Sequence, residues 1–288
     1  MNSFEYILSK QISWADRKKI KLLGSAVIRG RESYTEDINN NLFEPLQPIT
    51  LSEINKGDGG ELTGSTSKLP KMNALHSSSA IGVNVFQYWK NKNVSDLAYL
   101  LGLCRQDNKS AKEIHFEQKF QISDNFGFSP NIDVVIENEE GSKFKAFGIE
   151  CKFSEAYSSY KHNGLKEKYL LEINELWNDI PNLHEFAKTI SPEDITFRHL
   201  HPAQLVKHIL SLKKKYGKNC FRLLYLWYDV FGEDGFQHRE EIKRFSEVTS
   251  KDNIKFHSLT YQELIVKMKK EYYEGNEKYI DYLTDRYL

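Results

Sequence analysis

Apolar and polar residues alternate in three successive segments of the chain, and this period of two predicts three β-strands. The first segment is KEIHFEQKFQI (residues 112–122), where four apolar side chains share one face and Gln118 is the exception. The second is NIDVVIEN (131–138) and the third is KFKAFGIECKF (143–153). Residues 138–142 between the last two are short enough for a hairpin turn, so these strands are expected to be paired neighbours.

Other segments show the helical period of apolar residues. In HPAQLVKHILSLKKKYGKN (201–219), six apolar residues form a wide face, and Gly217 is expected to end the helix. NALHSSSAIGVNVFQYWKNK (73–92) predicts a mostly buried helix capped by one of the serines at 77–79. SDLAYLLGL (95–103) predicts a short helix capped by Ser95. Further helices are predicted over residues 14–28, 164–180 (ended by Pro181), 239–250 and 261–273.

The order of these elements predicts an α/β fold with a mixed sheet flanked by helices. CFRLLYLWYDV (220–230) is apolar throughout, which is typical of a buried central strand, and IKFHSLT (254–260) is a fifth strand. A helix between these two strands predicts parallel pairing. The expected divisions are an N-terminal extension (1–70) with a mobile loop at 55–71, a core (71–260) with an insertion at 154–200, and a C-terminal helical segment (261–288).

Composition narrows the class of protein. The 288 residues include 40 lysines and arginines and 40 aspartates and glutamates, so the net charge is zero. A nucleic-acid partner would therefore need a local basic face on the protein. The three cysteines form no CxxC pair, which suits free thiols in a reducing compartment. We find no signal peptide and no apolar run of the ~20 residues that span a bilayer, so the sequence predicts a cytoplasmic protein without a membrane partner.

Charged residues at the end of the third predicted strand are the main candidates for chemistry. Glu150 and Lys152 project from one face of that strand, and Asp133 lies on the partner strand. Two neighbouring carboxylates repel unless a cation lies between them, and Mg²⁺ prefers such oxygen ligands. The carbonyl of Cys151 is a further candidate ligand. A bound metal could polarise a phosphodiester, and Lys152 could stabilise the developing negative charge.

A structural interpretation of the same residues remains open. Glu-x-Lys also occurs at Glu117–Lys119 and Glu241–Lys243, where no strand-borne aspartate precedes it. From spacing alone, a salt bridge at the end of a strand explains the three residues as well as a metal site does.

Asp133, Glu150 and Lys152, together with the order of helices and strands, resemble the PD-(D/E)XK nuclease superfamily. The motif's proline and aspartate are separated here, as Pro130-Asn131-Ile132-Asp133. The blocks LHSSSAIGVNVFQYW, PNIDVVIE, GIECKFSE, HPAQLVKHILSL and LLYLWYD are similar to a bacterial branch described as restriction endonucleases, and they span about residues 71–230. The resemblance implies a restriction-endonuclease-like core, Mg²⁺ (or Mn²⁺ as a substitute) bound by Asp133 and Glu150, and Lys152 as the catalytic amine.

The resemblance also suggests two further residues, each with a plainer alternative. Some superfamily members add an acid from the first core element, which would be Glu117; otherwise it is a solvated strand glutamate. Some use a glutamine on the helix after the motif, which would be Gln204; otherwise it caps or packs. Glu155 is a candidate partner for Lys152.

The predicted function is a Mg²⁺-dependent DNA endonuclease of restriction or defence type, acting on double-stranded DNA, with a homodimer as a candidate assembly. The alternatives are a nuclease-fold protein that binds nucleic acid or a partner without cleaving, and a repair or mobile-element nuclease. Lysines 213, 214, 215 and 218 are candidates for contacts to phosphate, or alternatively they stabilise the C-terminus of their helix.

Overall fold

A computed structural model describes residues 1–23, 32–64, 69–159, 161–170 and 174–288. The predicted helix over residues 14–28, the predicted loop at 55–71 and the predicted helix over 164–180 therefore lie in part outside the described residues. None of the helices in the described ranges combines the length and apolar character needed to cross a membrane.

A mixed five-stranded sheet forms the centre of the protein, as the sequence predicted. The strands are β1 Ala111–Lys119, β2 Asn131–Asn138, β3 Ala146–Lys152, β4 Phe221–Trp227 and β5 Phe256–Thr260. They lie side by side in chain order. The pairs β1–β2 and β2–β3 are antiparallel, whereas β3–β4 and β4–β5 are parallel. The parallel pairing predicted from the helical crossover is confirmed.

Helices cover both faces of this sheet. In chain order they are α1 Ser3–Arg17, α2 Pro48–Lys56, α3 Ser78–Phe86, α4 Val94–Leu100, α5 Glu167–Leu170, α6 Asn174–Trp177, α7 Pro181–Thr189, α8 Pro202–Tyr216, α9 Glu233–Lys251, α10 Tyr261–Glu271 and α11 Glu277–Tyr287. One hydrophobic cluster joins Ile149 and other strand residues to α3, α10 and α11. A second cluster joins Tyr225 to α8 and α9 on the opposite face. The buried side chains on the two faces of the sheet therefore pack against different sets of helices.

The N-terminal helix lies earlier in the chain than predicted. α1 ends at Arg17, close to where the predicted helix begins. Its start is set by a capping box, in which the Asn2 side chain accepts from the Glu5 N–H and the Glu5 carboxylate accepts from the Asn2 N–H. The prediction followed apolar residues and overlooked this local signal.

Two other predicted helix boundaries were wrong, whereas the predicted start of α3 and the predicted end of α8 are confirmed. Pro181 begins α7 instead of ending a helix, because proline suits the first helical turn, where its missing N–H has no partner to lose. The side chain of Asn93, not Ser95, caps α4. Ser77 caps α3 and Gly217 ends α8 with a positive φ of 89°, as predicted.

Arg286 on α11 is fully buried and links the two termini of the chain. Its guanidinium donates to the Gln11 side chain and to the carbonyls of Asn41 and Leu75, and it lies 4.2 Å from the ring centroid of Trp14. These acceptors are neutral, so hydrogen bonds and ring contacts together compensate the buried charge.

Replacing Arg286 with methionine is expected to lower the free energy of unfolding by about 3 kcal/mol or more, because several buried acceptors lose their donor. Urea denaturation followed by circular dichroism measures this loss. Arg239→Met is the matched control: it breaks a partly exposed ion pair with Asp229 and should cost about 1 kcal/mol or less. Equal losses in the two variants would contradict this account of Arg286.

Candidate active site

Asp133 and Glu150 are brought together by the pairing of β2 and β3. Val134 pairs with Ile149, so the preceding residue of β2 stands opposite the following residue of β3. The N–H of Cys151 donates to Oδ2 of Asp133 at 2.7 Å, which fixes that carboxylate against β3. Glu150 and Lys152 lie on the face of β3 that α8 covers, whereas Ile149 and Cys151 face the opposite cluster.

Glu150 is completely buried, and each of its two oxygens contacts a basic group. Nζ of Lys152 lies 2.6 Å from Oε1, and Nε2 of His208 lies 2.7 Å from Oε2. A carboxylate can only accept, so Nε2 of His208 carries the proton in this contact. Burial alone would raise the pKa of Glu150, but Lys152 and His208 outweigh it and lower the pKa to about 2. Glu150 is therefore ionised.

Lys152 is held as an ammonium ion. Burial lowers its pKa, but the carboxylates of Glu150, Glu155 and Asp133 raise it more, so the net pKa lies above its usual value. Its Nζ also donates to Oε1 of Gln204 on α8 at 3.1 Å. In this arrangement Lys152 is a positioned positive charge and a hydrogen-bond donor.

Asp133 and Glu117 form the least compensated part of the site. Burial and the charge of Glu150 raise the pKa of Asp133 well above its usual value. Burial, Glu61 and Glu150 raise the pKa of Glu117 to about 7. Both residues line a cavity of about 20 Å³ beside Ser78 of α3. Burial and the neighbouring carboxylates therefore disfavour the ionised form of both carboxyl groups.

Glu117 also has an unusual backbone conformation. Its φ is 51°, in the left-handed region that non-glycine residues rarely adopt and that a strand normally excludes. It lies between Phe116 and Gln118, which pair with Val134 and Ile132, so Glu117 stands opposite Asp133. Strain of this kind persists where surrounding contacts maintain it, and it is often found at functional sites.

The remaining predicted residues have other immediate contacts. One carboxylate oxygen of Glu155 accepts from the N–H of Phe153, and its influence on Lys152 is electrostatic. The thiol of Cys151 is buried, and its residue lines the small cavity next to Asp133. The role of its carbonyl as a ligand stays a prediction.

The predicted phosphate-binding lysines mostly have intramolecular partners. Lys213 and Lys218 donate to main-chain carbonyls of residues 175, 176 and 179, and Lys214 pairs with Asp124. Three of the four therefore hold residues 175–179 and a nearby loop against the end of α8. Contacts of these lysines to phosphate, or with the C-terminus of their own helix, stay predictions.

The sequence places His208 four residues after Gln204, on the same face of α8, where it can reach the site without being a metal ligand. The structure confirms that it reaches the site, where it contacts Glu150. What the pattern could not show is that Glu150, on a distant strand, lies within hydrogen-bond distance of that face.

The donors present suit a hard divalent cation. Mg²⁺ is commonly held by one or two carboxylates together with waters and substrate phosphate. Across the described ranges, no group of three or more histidine, cysteine, aspartate or glutamate side chains is arranged to hold a metal ion. Asp133 and Glu117, two carboxylates beside a small cavity, are oxygen ligands of the kind that Mg²⁺ prefers.

His208 should matter for stability because it satisfies a buried carboxylate. We expect His208→Leu to lower the free energy of unfolding by about 2 kcal/mol or more, since Oε2 of Glu150 loses its donor. His208→Gln keeps an N–H donor and should lose less. Chemical denaturation of both variants measures the difference. If the leucine variant is as stable as the glutamine variant, the contact with Glu150 does not stabilise the fold.

The fold and site together define a mixed α/β protein with a cluster of carboxylates and a lysine at the end of a central strand. A model of the family described as "Restriction Endonuclease associating with ARP" matches residues 11–288, and the chain belongs to this family. No curated protein and no solved structure matches the chain.

Proposed function

We propose that this protein is a metal-dependent DNA endonuclease of restriction or defence type with a PD-(D/E)XK active site. The observation that carries the proposal is the cluster of Asp133, Glu150 and Lys152, in which the Lys152 ammonium contacts Glu150 and the neighbouring Asp133 has a raised pKa. Membership of a restriction-endonuclease-associated family supports the same class of activity. The sequence of helices and strands is compatible with the restriction-endonuclease-like core that the resemblance implies.

Each residue has a role that its environment favours. Asp133, Glu150 and Glu117 would hold the metal ion, with the Cys151 carbonyl as a further ligand. Bound Mg²⁺ would supply Lewis-acid activation of the phosphodiester and of the attacking water. Lys152, kept charged by its neighbours, would stabilise negative charge on the scissile phosphate. Gln204 and His208 would hold Lys152 and Glu150 in place.

The proposed partners follow from the chemistry and from the family description. The substrate would be double-stranded DNA, and a homodimer would place two active sites on its two strands. The family description names an association with ARP, so we propose that a protein of that designation works together with this chain.

DNA cleavage by the purified protein tests the proposal. Supercoiled and linear unmethylated DNA are incubated with Mg²⁺, with Mn²⁺ or with EDTA, beside the Asp133→Asn variant. Discrete fragments that require the metal and are lost in the variant would support a sequence-specific endonuclease. A smear would keep the nuclease chemistry and exclude the restriction role. Absence of cleavage under all conditions would favour a protein that binds without cleaving.

A further inference from the structure

A second pocket, of about 510 Å³, lies away from the carboxylate cluster. It is bounded by the loop after α4, by the turn between β2 and β3, and by the start of β4. Arg222 of β4 lines it and pairs in register with Phe147 of β3. Lys152 is five residues further along β3, a separation of about 16 Å along the strand. The pocket and the candidate active site are therefore distinct.

Arg222 enters this pocket without an anionic partner. Within the described ranges, its guanidinium forms no ion pair, and its buried Nε has no hydrogen-bond acceptor. Its main contact is the ring of Phe144, whose centroid lies 4.5 Å from Cζ. A buried N–H such as the Nε–H of Arg222 normally has an acceptor, because an unpaired buried donor is costly.

The other charged groups of the pocket leave positive charge in excess. Lys143 lies 5.7 Å from the centroid of the same Phe144 ring, so two cations share one aromatic side chain. Of the two acidic residues in the lining, Glu139 is already paired with Lys112 outside the pocket, whereas Asp107 forms no ion pair with a described residue. Arg105 adds a further cation to the lining. An anion would reduce the repulsion among these groups.

Asn138 contributes an unpaired hydrogen-bond acceptor to the pocket, whereas Arg222 contributes an unpaired donor. Its Nδ2 donates to the Phe144 carbonyl at 2.7 Å, but its buried Oδ1 has no donor. Asn138 lines the same pocket. A ligand that carries both an anionic group and a hydroxyl or amino donor would satisfy Arg222 and Asn138 together.

We propose that this pocket binds an anionic small molecule that presents a phosphate or carboxylate to Arg222 and a hydrogen-bond donor to Asn138. The pocket volume lies in the range of small-molecule sites, and a mononucleotide meets both requirements. Binding here is independent of the proposed nuclease activity, because Asp133, Glu150 and Lys152 do not line the pocket.

Calorimetric titration of the full chain with inorganic phosphate, adenosine monophosphate and citrate tests the proposal and separates phosphate from carboxylate ligands. At least one should bind, and Arg222→Gln should weaken that binding by about tenfold or more. Arg244→Gln is the matched control, because Arg244 also stacks on a phenylalanine, Phe197 at 4.7 Å, but lies outside the pocket. The control and Asp133→Asn should bind like the wild type, even if the protein does not cleave DNA.

Three results would overturn the proposal. The first is that none of the three anions binds at about 10 mM. The second is that they bind Arg222→Gln and the wild type equally. The third is that Arg222→Gln weakens binding of duplex DNA while none of the small anions binds the wild type, which would make Arg222 a nucleic-acid contact. Thermal unfolding of the unliganded Arg222→Gln variant serves as the folding control. It should be at least as stable as Arg244→Gln, because it removes an unpaired buried donor.

Discussion

Replacing Asp133 with asparagine is expected to abolish metal-dependent cleavage and, at the same time, to stabilise the metal-free protein. The loss of cleavage should be about 10³-fold or greater, since the proposed metal site loses a carboxylate ligand. The gain in stability has a separate cause. Burial and the charge of Glu150 raise the pKa of Asp133, so an ionised Asp133 opposes folding when no cation is bound.

Asparagine is suited to separate these two effects. It has nearly the same shape as aspartate, and its amide oxygen can still accept from the N–H of Cys151. The repulsion between Asp133 and Glu150 disappears, whereas the backbone contact is kept. At about pH 8 without metal, we expect a free energy of unfolding about 1 kcal/mol or more above that of the wild type.

Thermal unfolding with and without Mg²⁺ measures both consequences. Mg²⁺ should raise the unfolding temperature of the wild type and leave that of Asp133→Asn nearly unchanged, because binding to the folded state stabilises it by mass action. Asp124→Asn is the matched control, since Asp124 is an exposed partner of Lys214. An equal Mg²⁺ response in wild type and Asp133→Asn would show that Asp133 does not hold the metal ion.

The sheet was predictable because its strands carry strong local patterns. Alternation in residues 131–138 matched β2 at both ends, and the short turn that follows brought Asp133 opposite Glu150. Alternation also placed Glu150 and Lys152 on one face of β3. These relations depend on neighbouring residues and on the period of a strand, both of which can be read directly from the sequence.

The contacts of the site were less predictable because they join distant segments. The residue of α8 that contacts Glu150 depends on how the helix packs on the sheet. The hydrogen bond between His208 and Glu150 could therefore not be predicted from sequence spacing. The positive φ of Glu117 likewise depends on its surroundings, because glutamate itself disfavours this conformation. The partners of Lys213, Lys214 and Lys218 lie in other segments for the same reason.

The contacts of Lys152 separate its expected catalytic role from its structural one. Lys152→Gln should reduce cleavage by about 10²-fold to 10³-fold, because the scissile phosphate loses a positioned positive charge. Lys119→Gln is the matched control, since Lys119 is also carried by a strand but pairs with the exposed Asp58. Cleavage at a nearly normal rate by Lys152→Gln would remove Lys152 from the proposed mechanism.

The structural role can be measured without any cleavage assay. Lys152→Gln leaves the buried Glu150 carboxylate with the His208 N–H as its remaining side-chain donor, so the free energy of unfolding should fall by about 3 kcal/mol. Adding Glu150→Gln removes the buried charge that lost its partner, and the double variant should recover part of this loss. A double-mutant cycle gives the coupling between the two residues, which should be about 1 kcal/mol or more. A coupling near zero would mean that the 2.6 Å contact contributes little to stability, and any effect of Lys152→Gln on cleavage would then have to arise from its interaction with substrate.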